Sequence, residues 1–99
     1  MEHMAELLSE TEIFEALNKL PYWQRAGDAL ERTAELADFP QAIAVVNRVA
    51  EIAETLDHHP DMDIRWRTVT FRCSTHSAGG ITGKDVSLAG QIDSTIDAL

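Results

Sequence analysis

Apolar residues recur along this chain first at helical and later at strand spacing. Ser9-Glu10-Thr11-Glu12 has the form of a capping box, a hydroxyl N-cap with an acid three positions on. Ile13, Phe14, Leu17 and Leu20 follow at helical intervals, and Pro21 ends that helix. Tyr22 and Trp23 open a short segment of strand character, and Ala26-Gly27-Asp28 supplies a turn. Leu30 to Leu36 forms a second strand despite Glu31, Glu35 and two alanines, which lower its propensity. The clearest element runs from Asp38 to Leu56. Asp38 caps it, Pro40 suits its first turn, and Ala42, Val45, Val46, Val49, Ile52, Ala53 and Leu56 make an apolar stripe. Pro60 prevents its continuation.

From Ile64 to Ser74 the period changes to two. Val69, Phe71 and Cys73 mark a core face, while Ile64, Trp66, Thr70 and Arg72 fall on the other. This is one long strand or two strands split near Arg67-Thr68. Ala78-Gly79-Gly80 is a loop, and Thr82-Gly83-Lys84-Asp85 starts a last helix with Val86, Ala89, Ile92 and Ile96 on one face. The expected class is α+β, with helices covering one face of an antiparallel sheet. Residues 1–8 are expected to be a flexible N-terminal end and 9–99 a single domain.

Composition narrows the function classes. Lys and Arg total 8 against 17 Asp and Glu, a formal net charge of -9. That balance argues against a nucleic-acid partner and against adhesion to an anionic membrane. No apolar run approaches the length of a membrane span. The start, Met1-Glu2-His3-Met4-Ala5, lacks a signal-peptide pattern. The single cysteine, Cys73, excludes an internal disulfide and reads as a buried small hydrophobe. The expected location is cytoplasmic.

Three of the four histidines carry the candidate chemistry. His58 and His59 lie between the long helix and Pro60, flanked by Glu54, Asp57 and Asp61, and His76 follows the next strand segment. A helix C-terminus and neighbouring carboxylates favour the protonated imidazole. Imidazole is the side chain that exchanges protons near neutral pH, which suits general acid–base work. A His-ligated zinc site is the alternative chemistry, although adjacent histidines chelate awkwardly and no H-x-x-x-H or H-x-H spacing is present. A polar surface corner is the structural alternative. Trp66 is a pocket wall or a core aromatic, and Trp23 is core. Gly79-Gly80 is a turn rather than a phosphate loop, since Asp85 follows Gly83-Lys84. Arg65, Arg67, Arg72 and Lys84 read as a basic, solvated face, and His3 has no role.

Glu54-Thr-Leu-Asp57-His58-His59-Pro60, then Trp66, Thr75-His76, Gly79-Gly80-Ile81-Thr82 and Asp85 resemble the signature of pterin-4a-carbinolamine dehydratases. The likeness is strong over 38–96 and weaker over 9–37, where Leu20-Pro21-Tyr22-Trp23 and Leu30-Glu31-Arg32 still match. Thr33 to Ala37 replaces the family's aromatic alternation, and Asp57 stands where asparagine is frequent.

The resemblance implies an α-β-β-α-β-β-α fold and the loss of water from 4a-hydroxytetrahydrobiopterin, giving quinonoid dihydropterin in tetrahydrobiopterin recycling. It implies no metal and no organic cofactor. By likeness His58 and His76 are the acid/base pair and His59 mainly holds the pterin. Asp57, Ser74, Thr75 and Ser77 would bond the ring through side chains or backbone, Glu54 and Asp85 would orient the histidines, and Pro60 and Trp66 would support the pocket. The expected partners are the pterin and further copies of the chain, as a homodimer or homotetramer. The alternative function is a non-catalytic module of the same fold, binding pterin or serving as a dimerisation cofactor of a transcription factor. Such a module would not need all three histidines.

Overall fold

The computed structural model describes residues 6–99, so His3 lies outside the described residues. The chain runs α1 (Glu10–Asn18), β1 (Gln24–Ala26), β2 (Ala29–Glu35), α2 (Phe39–Leu56), β3 (Asp61–Arg65), β4 (Thr68–Cys73) and α3 (Gly83–Asp97), with a 3-10 turn at His76–Ala78. The strands form one antiparallel sheet in the order β1-β2-β4-β3. This is the expected α+β order, and no helix among the described residues is long and apolar enough to cross a membrane.

The caps work as the sequence indicates. Ser9 Oγ accepts from the Glu12 amide while Glu12 Oε1 accepts from the Ser9 amide, at 3.1 and 2.8 Å. Asp38 accepts from the Gln41 amide at the start of α2. Val45, Val49 and Ile52 of α2, with Leu88, Ala89 and Ile92 of α3, pack on a sheet face made by Leu30, Ala34, Val69, Phe71 and Cys73. Phe71, Leu30 and Leu88 are fully buried and anchor this core. Trp23 is core, as expected, and its indole N–H donates to Asp93 Oδ1 at 2.7 Å.

Several expectations need correction. Of the N-terminal end expected to be flexible, residues 1–5 lie outside the described residues, while Leu7 bridges Thr82 and the Leu8 amide donates to Ile81 O at 2.9 Å. Phe14 is 67% exposed and faces away from the core, although its spacing placed it in the stripe of α1. The segment after Pro60 is two strands, and β3 begins at Asp61, earlier than Ile64. A two-residue turn, Trp66-Arg67, reverses the chain, with Trp66 at a φ of 53°. The reversal puts Ile64 opposite Val69 and Met62 opposite Phe71, on the same face rather than opposite ones.

β2 carries a charge on the core side. Leu30, Arg32 and Ala34 face inward in alternation, opposite Cys73, Phe71 and Val69. Arg32 is 8% exposed, pairs with Asp93 of α3 and lies 4.4 Å from the centroid of the Tyr22 ring. Asp93 thereby receives both Arg32 and Trp23, which clamps α3 to the sheet.

Candidate active site

The site is built where α2 ends. Asp57 adopts the left-handed conformation at a φ of 51° and stops the helix three residues before Pro60. The His58 amide returns to Ala53 O at 3.0 Å and the Asp57 amide to Glu54 O at 3.3 Å. These bonds fix the backbone of the His58-His59 pair against the helix. The chain then passes through Pro60 into β3.

Across from it, β4 ends at Cys73 and delivers Ser74, Thr75 and His76. The Thr75 carbonyl accepts from the amides of Ala78, Gly79 and Gly80, and the Thr75 amide donates to Gly80 O at 2.9 Å. Gly79 closes the turn at a φ of 77°, where a side chain would be strained. A Cβ at Gly80 would sit 3.0 Å from Leu7 Cδ2, so the tied N-terminal segment packs directly behind this turn. The result is a cavity of about 320 Å³ lined by Asp57, His58, His59, Ser74, Thr75, His76, Ser77 and Lys84.

Asp85 organises the cavity from beneath. It is the third residue of α3, where Thr82-Gly-Lys-Asp85 forms a second capping box. Its carboxylate is fully buried. Oδ2 accepts from the Thr82 amide at 2.9 Å and from Thr75 Oγ1 at 2.8 Å. Oδ1 lies 2.7 Å from His58 Nε2. A carboxylate in such a network is an acceptor, so Nε2 carries its hydrogen toward Asp85. The remaining nitrogen of His58, Nδ1, is left for a bound molecule. Burial makes this pair rigid, because His58 is only 11% exposed in its side chain and Asp85 not at all.

His59 is held differently. Its Nε2 lies 2.7 Å from Glu54 Oε2, but both side chains are exposed, at 57% and 79%. The pairing of acids with histidines is therefore specific: Asp85 serves His58 and Glu54 serves His59. Among the described residues the His76 imidazole has no side-chain partner, and it is exposed.

The structure revises other expected site residues. Thr75 lines the cavity, yet its hydroxyl is engaged by Asp85 and Thr82, so it supports Asp85 rather than offering a side-chain bond to a ligand. Ser74 Oγ donates to Asp28 O at 2.8 Å, which leaves its lone pairs for a ligand donor. Trp66 does not wall the cavity. It sits at the far end of β3, roughly 16 Å along the strand from Asp61, is 71% exposed and stacks on Arg67 at 4.8 Å. The expected basic face also dissolves. Arg65 pairs with Asp63, Arg67 with Glu35, and Arg72 with Asp28 and Glu31, while Lys84 stands apart in the histidine cavity.

Burial pushes the Cys73 thiol up to about 12, helped by the negative charges of Asp85 and Asp61. Cys73 therefore stays a protonated core residue beneath the site and supplies no nucleophile. Among the described residues no three His, Cys, Asp or Glu side chains converge to hold a metal ion. A larger depression of about 480 Å³ lies on the polar sheet face, lined by Glu31, Asp63, Arg65, Arg72 and their neighbours. Asp63 pairs there with Arg65 and Glu31 with Arg72, and no histidine lines it, whereas three line the smaller cavity.

Comparison with known proteins places the sequence and the fold. A protein of Nocardia farcinica is 62% identical over 88 residues, covering 89% of this chain and 93% of its own. A protein of Roseiflexus castenholzii is 55% identical over 93 residues, covering 94% of this chain and 100% of its own. Both carry the name "Putative pterin-4-alpha-carbinolamine dehydratase". The crystal structure of a transcriptional coactivator/pterin dehydratase from Brucella melitensis superposes with a TM-score of 0.86 at 33% identity, covering 89% of this chain and 96% of that one. The family model for pterin 4 alpha carbinolamine dehydratase matches residues 6–95, and the chain belongs to that family.

Proposed function

We propose that this protein removes water from a 4a-hydroxytetrahydropterin by general acid–base catalysis, with His58 and His76 as the proton-transfer groups. The supporting observation is the His58–Asp85 pair: a carboxylate with no exposure, held by Thr75 and Thr82, directed at one nitrogen of a histidine that lines the cavity.

The reaction needs little else. The substrate carries a hydroxyl on C4a, next to the N5–H. One imidazolium protonates the hydroxyl oxygen, the C4a–O bond breaks, and the N5 lone pair forms the C4a=N5 double bond. The N5 proton passes to a neutral imidazole, so protons and electrons balance without any redox partner. His58, with Nε2–H fixed on Asp85, presents Nδ1 as a basic lone pair or, when protonated, as a donor. In the second state Asp85 stabilises the charge. His76 takes the complementary role, since no protein group occupies its ring nitrogens among the described residues. His59, braced by Glu54, and the Asp57 and Ser77 side chains hold the ring. Acid–base assistance of this kind is worth about 10²–10⁴-fold. In this reading the product feeds tetrahydrobiopterin recycling.

The Brucella relative's description adds a coactivator role for that protein. Capping α3 and holding Thr75 occupies only Oδ2 of Asp85; the direction of Oδ1 at a cavity-lining imidazole favours catalysis here. Homo-oligomerisation is part of the proposal. It is supported by the unpaired outer edge of β3 and by the exposed Ile64 and Trp66 beside it. Light scattering at micromolar concentration checks it, and a monomeric mass would count against it. For catalysis, stopped-flow dehydration of synthetic 4a-hydroxytetrahydropterin should show large losses in His58→Ala and His76→Ala. Unchanged rates in both would sink the acid–base assignment.

A further inference from the structure

The cavity that holds the histidines does not end at them. A second cavity of about 270 Å³, lined by Leu56, His58, Gly83, Lys84 and Ser87, adjoins it across the His58 and Lys84 side chains. Small-molecule sites usually measure about 300–1,000 Å³. The first cavity alone stands at the lower limit of that range, and the two together fall well inside it. The flat bicyclic ring belongs with the histidines, where the proton transfer occurs. A substituent on that ring has the second cavity to enter.

The chemistry of the second cavity is set by its lining. Leu56 offers an aliphatic wall, and Ser87 a hydroxyl with no side-chain partner among the described residues. Lys84 is the decisive group. All six arginines of the chain are ion-paired: Arg25 with Glu10, Arg32 with Asp93, Arg48 with Glu51, Arg65 with Asp63, Arg67 with Glu35 and Arg72 with Asp28 and Glu31. Lys19 and Lys84 have no such partner among the described residues, although 17 carboxylates compete for 8 Lys and Arg, and of the two only Lys84 lines these cavities. Asp57 lines the same cavity without pairing to it. In so acidic a chain, a cation left unpaired where two cavities meet is suited to an anion that arrives with the ligand.

We infer that Lys84 and the cavity behind it receive an anionic substituent of the pterin, making a 4a-hydroxytetrahydropterin with a phosphorylated side chain a better substrate than its neutral counterpart. The inference rests on the dehydratase reading and specifies its substrate class. The side-chain carbons lie along Leu56, a side-chain hydroxyl meets Ser87, and the phosphate meets the Lys84 ammonium. Because the tail is remote from the breaking C4a–O bond, the preference falls on KM more than on kcat.

Three substrates sharing the 4a-hydroxytetrahydropterin ring test this, carrying a 6-methyl group, a 6-dihydroxypropyl group, or the phosphate monoester of that dihydroxypropyl group. Stopped-flow kinetics give the ratio of kcat/KM for phosphorylated over neutral dihydroxypropyl substrate within each variant. A solvent-accessible charge-assisted contact is worth about a tenfold preference. The wild type should show that ratio, Lys84→Arg should keep it, and Lys84→Met should bring it near one. A ratio near one in the wild type, or the same ratio in Lys84→Met, overturns the inference while leaving the dehydratase reading in place. Equilibrium binding of the fully oxidised pterin phosphate and its neutral parent reports independently of turnover. If the wild type accelerates none of the three substrates, the dehydratase reading fails, and Lys84-dependent preference for the oxidised phosphate still decides for the anion site. Equal binding of the two oxidised pterins decides against it.

Discussion

Replacing Asp85 by asparagine probes the site without removing an atom from the core. In the native protein Asp85 Oδ2 accepts from the Thr82 amide and Thr75 Oγ1, and Oδ1 faces His58 Nε2 at 2.7 Å. An asparagine must keep its carbonyl oxygen on the two donors, so its NH2 group turns toward His58. His58 Nε2 then has to accept, and the ring proton moves to Nδ1, the nitrogen left for substrate. The imidazolium form is opposed as well, because it would aim an N–H at an amide donor. The base is lost and the acid is disfavoured, so kcat should fall by about 10²–10⁴-fold, the typical contribution of acid–base assistance. The fold should survive. Three charge-assisted bonds become neutral ones, a loss of about 1 kcal/mol each, and relief of a buried charge offsets part of it. A net cost of about 1–2 kcal/mol lowers the melting temperature by roughly 5–10 °C for a domain of this size. Stopped-flow dehydration well below the variant's melting point measures the first effect, and thermal unfolding the second. Nitrogen NMR of His58 reads the tautomer directly, with Nε2–H in the wild type and Nδ1–H in the variant. A folded Asp85→Asn protein with wild-type kcat, or with His58 still protonated at Nε2, would refute the reasoning.

Three further outcomes follow from the same structure. Glu54→Gln should change stability by less than about 0.5 kcal/mol, because the His59–Glu54 pair is exposed; a melting shift as large as that of Asp85→Asn would contradict this. Asp93→Ala should cost about 3–5 kcal/mol, since it strands the Arg32 guanidinium in the core and removes the acceptor of the Trp23 indole; chemical denaturation measures it, and Arg32→Met in the same chain should restore part of the loss. Cys73 should resist alkylation by iodoacetamide at pH 8 until the protein unfolds, because burial holds its thiol at about 12 instead of 9.0. The stability that this raised value supports is complete below pH 9.0 and declines as pH rises from there toward 12.

The helices were legible because caps and stripes are local signals. Ser9 with Glu12, Asp38 with Gln41, and Thr82 with Asp85 all mark helix starts by chemistry that acts within four residues. β4 was equally plain, since Val69, Phe71 and Cys73 alternate and are all fully buried. β3 was obscured by its position at the sheet edge, where Asp61, Asp63 and Arg65 satisfy the edge and break the apolar pattern. The Trp66-Arg67 turn lacks the glycine or asparagine that announces a hairpin, so the sequence alternation puts Ile64 on the opposite face from Val69, and the turn brings it to the same one. Phe14 misled because helical spacing alone does not say which side of a short helix meets the core.

The site shows the same division. The histidines and their flanking acids stood out in the sequence, but which acid serves which histidine depends on α3 meeting α2, a contact between distant segments. The role of Thr75 was hidden for that reason: only the fold shows that its hydroxyl is already bound to Asp85 and Thr82. Lys84 is near Arg65, Arg67 and Arg72 in sequence, but the fold scatters those arginines into separate ion pairs. The buried Arg32 had a readable signal, since strict alternation with Leu30 and Ala34 points it inward, and an inward arginine demands an acid such as Asp93.

Dehydration catalysed in the His58, His59 and His76 cavity can be measured directly. The most direct measurement mixes the wild-type protein with freshly generated 4a-hydroxytetrahydropterin in the stopped flow and compares its decay with the enzyme-free reaction in the same buffer. The expected result is a saturable acceleration of about 10²-fold or more, within the range that acid–base assistance supplies. Decay at the enzyme-free rate at every protein concentration would contradict it.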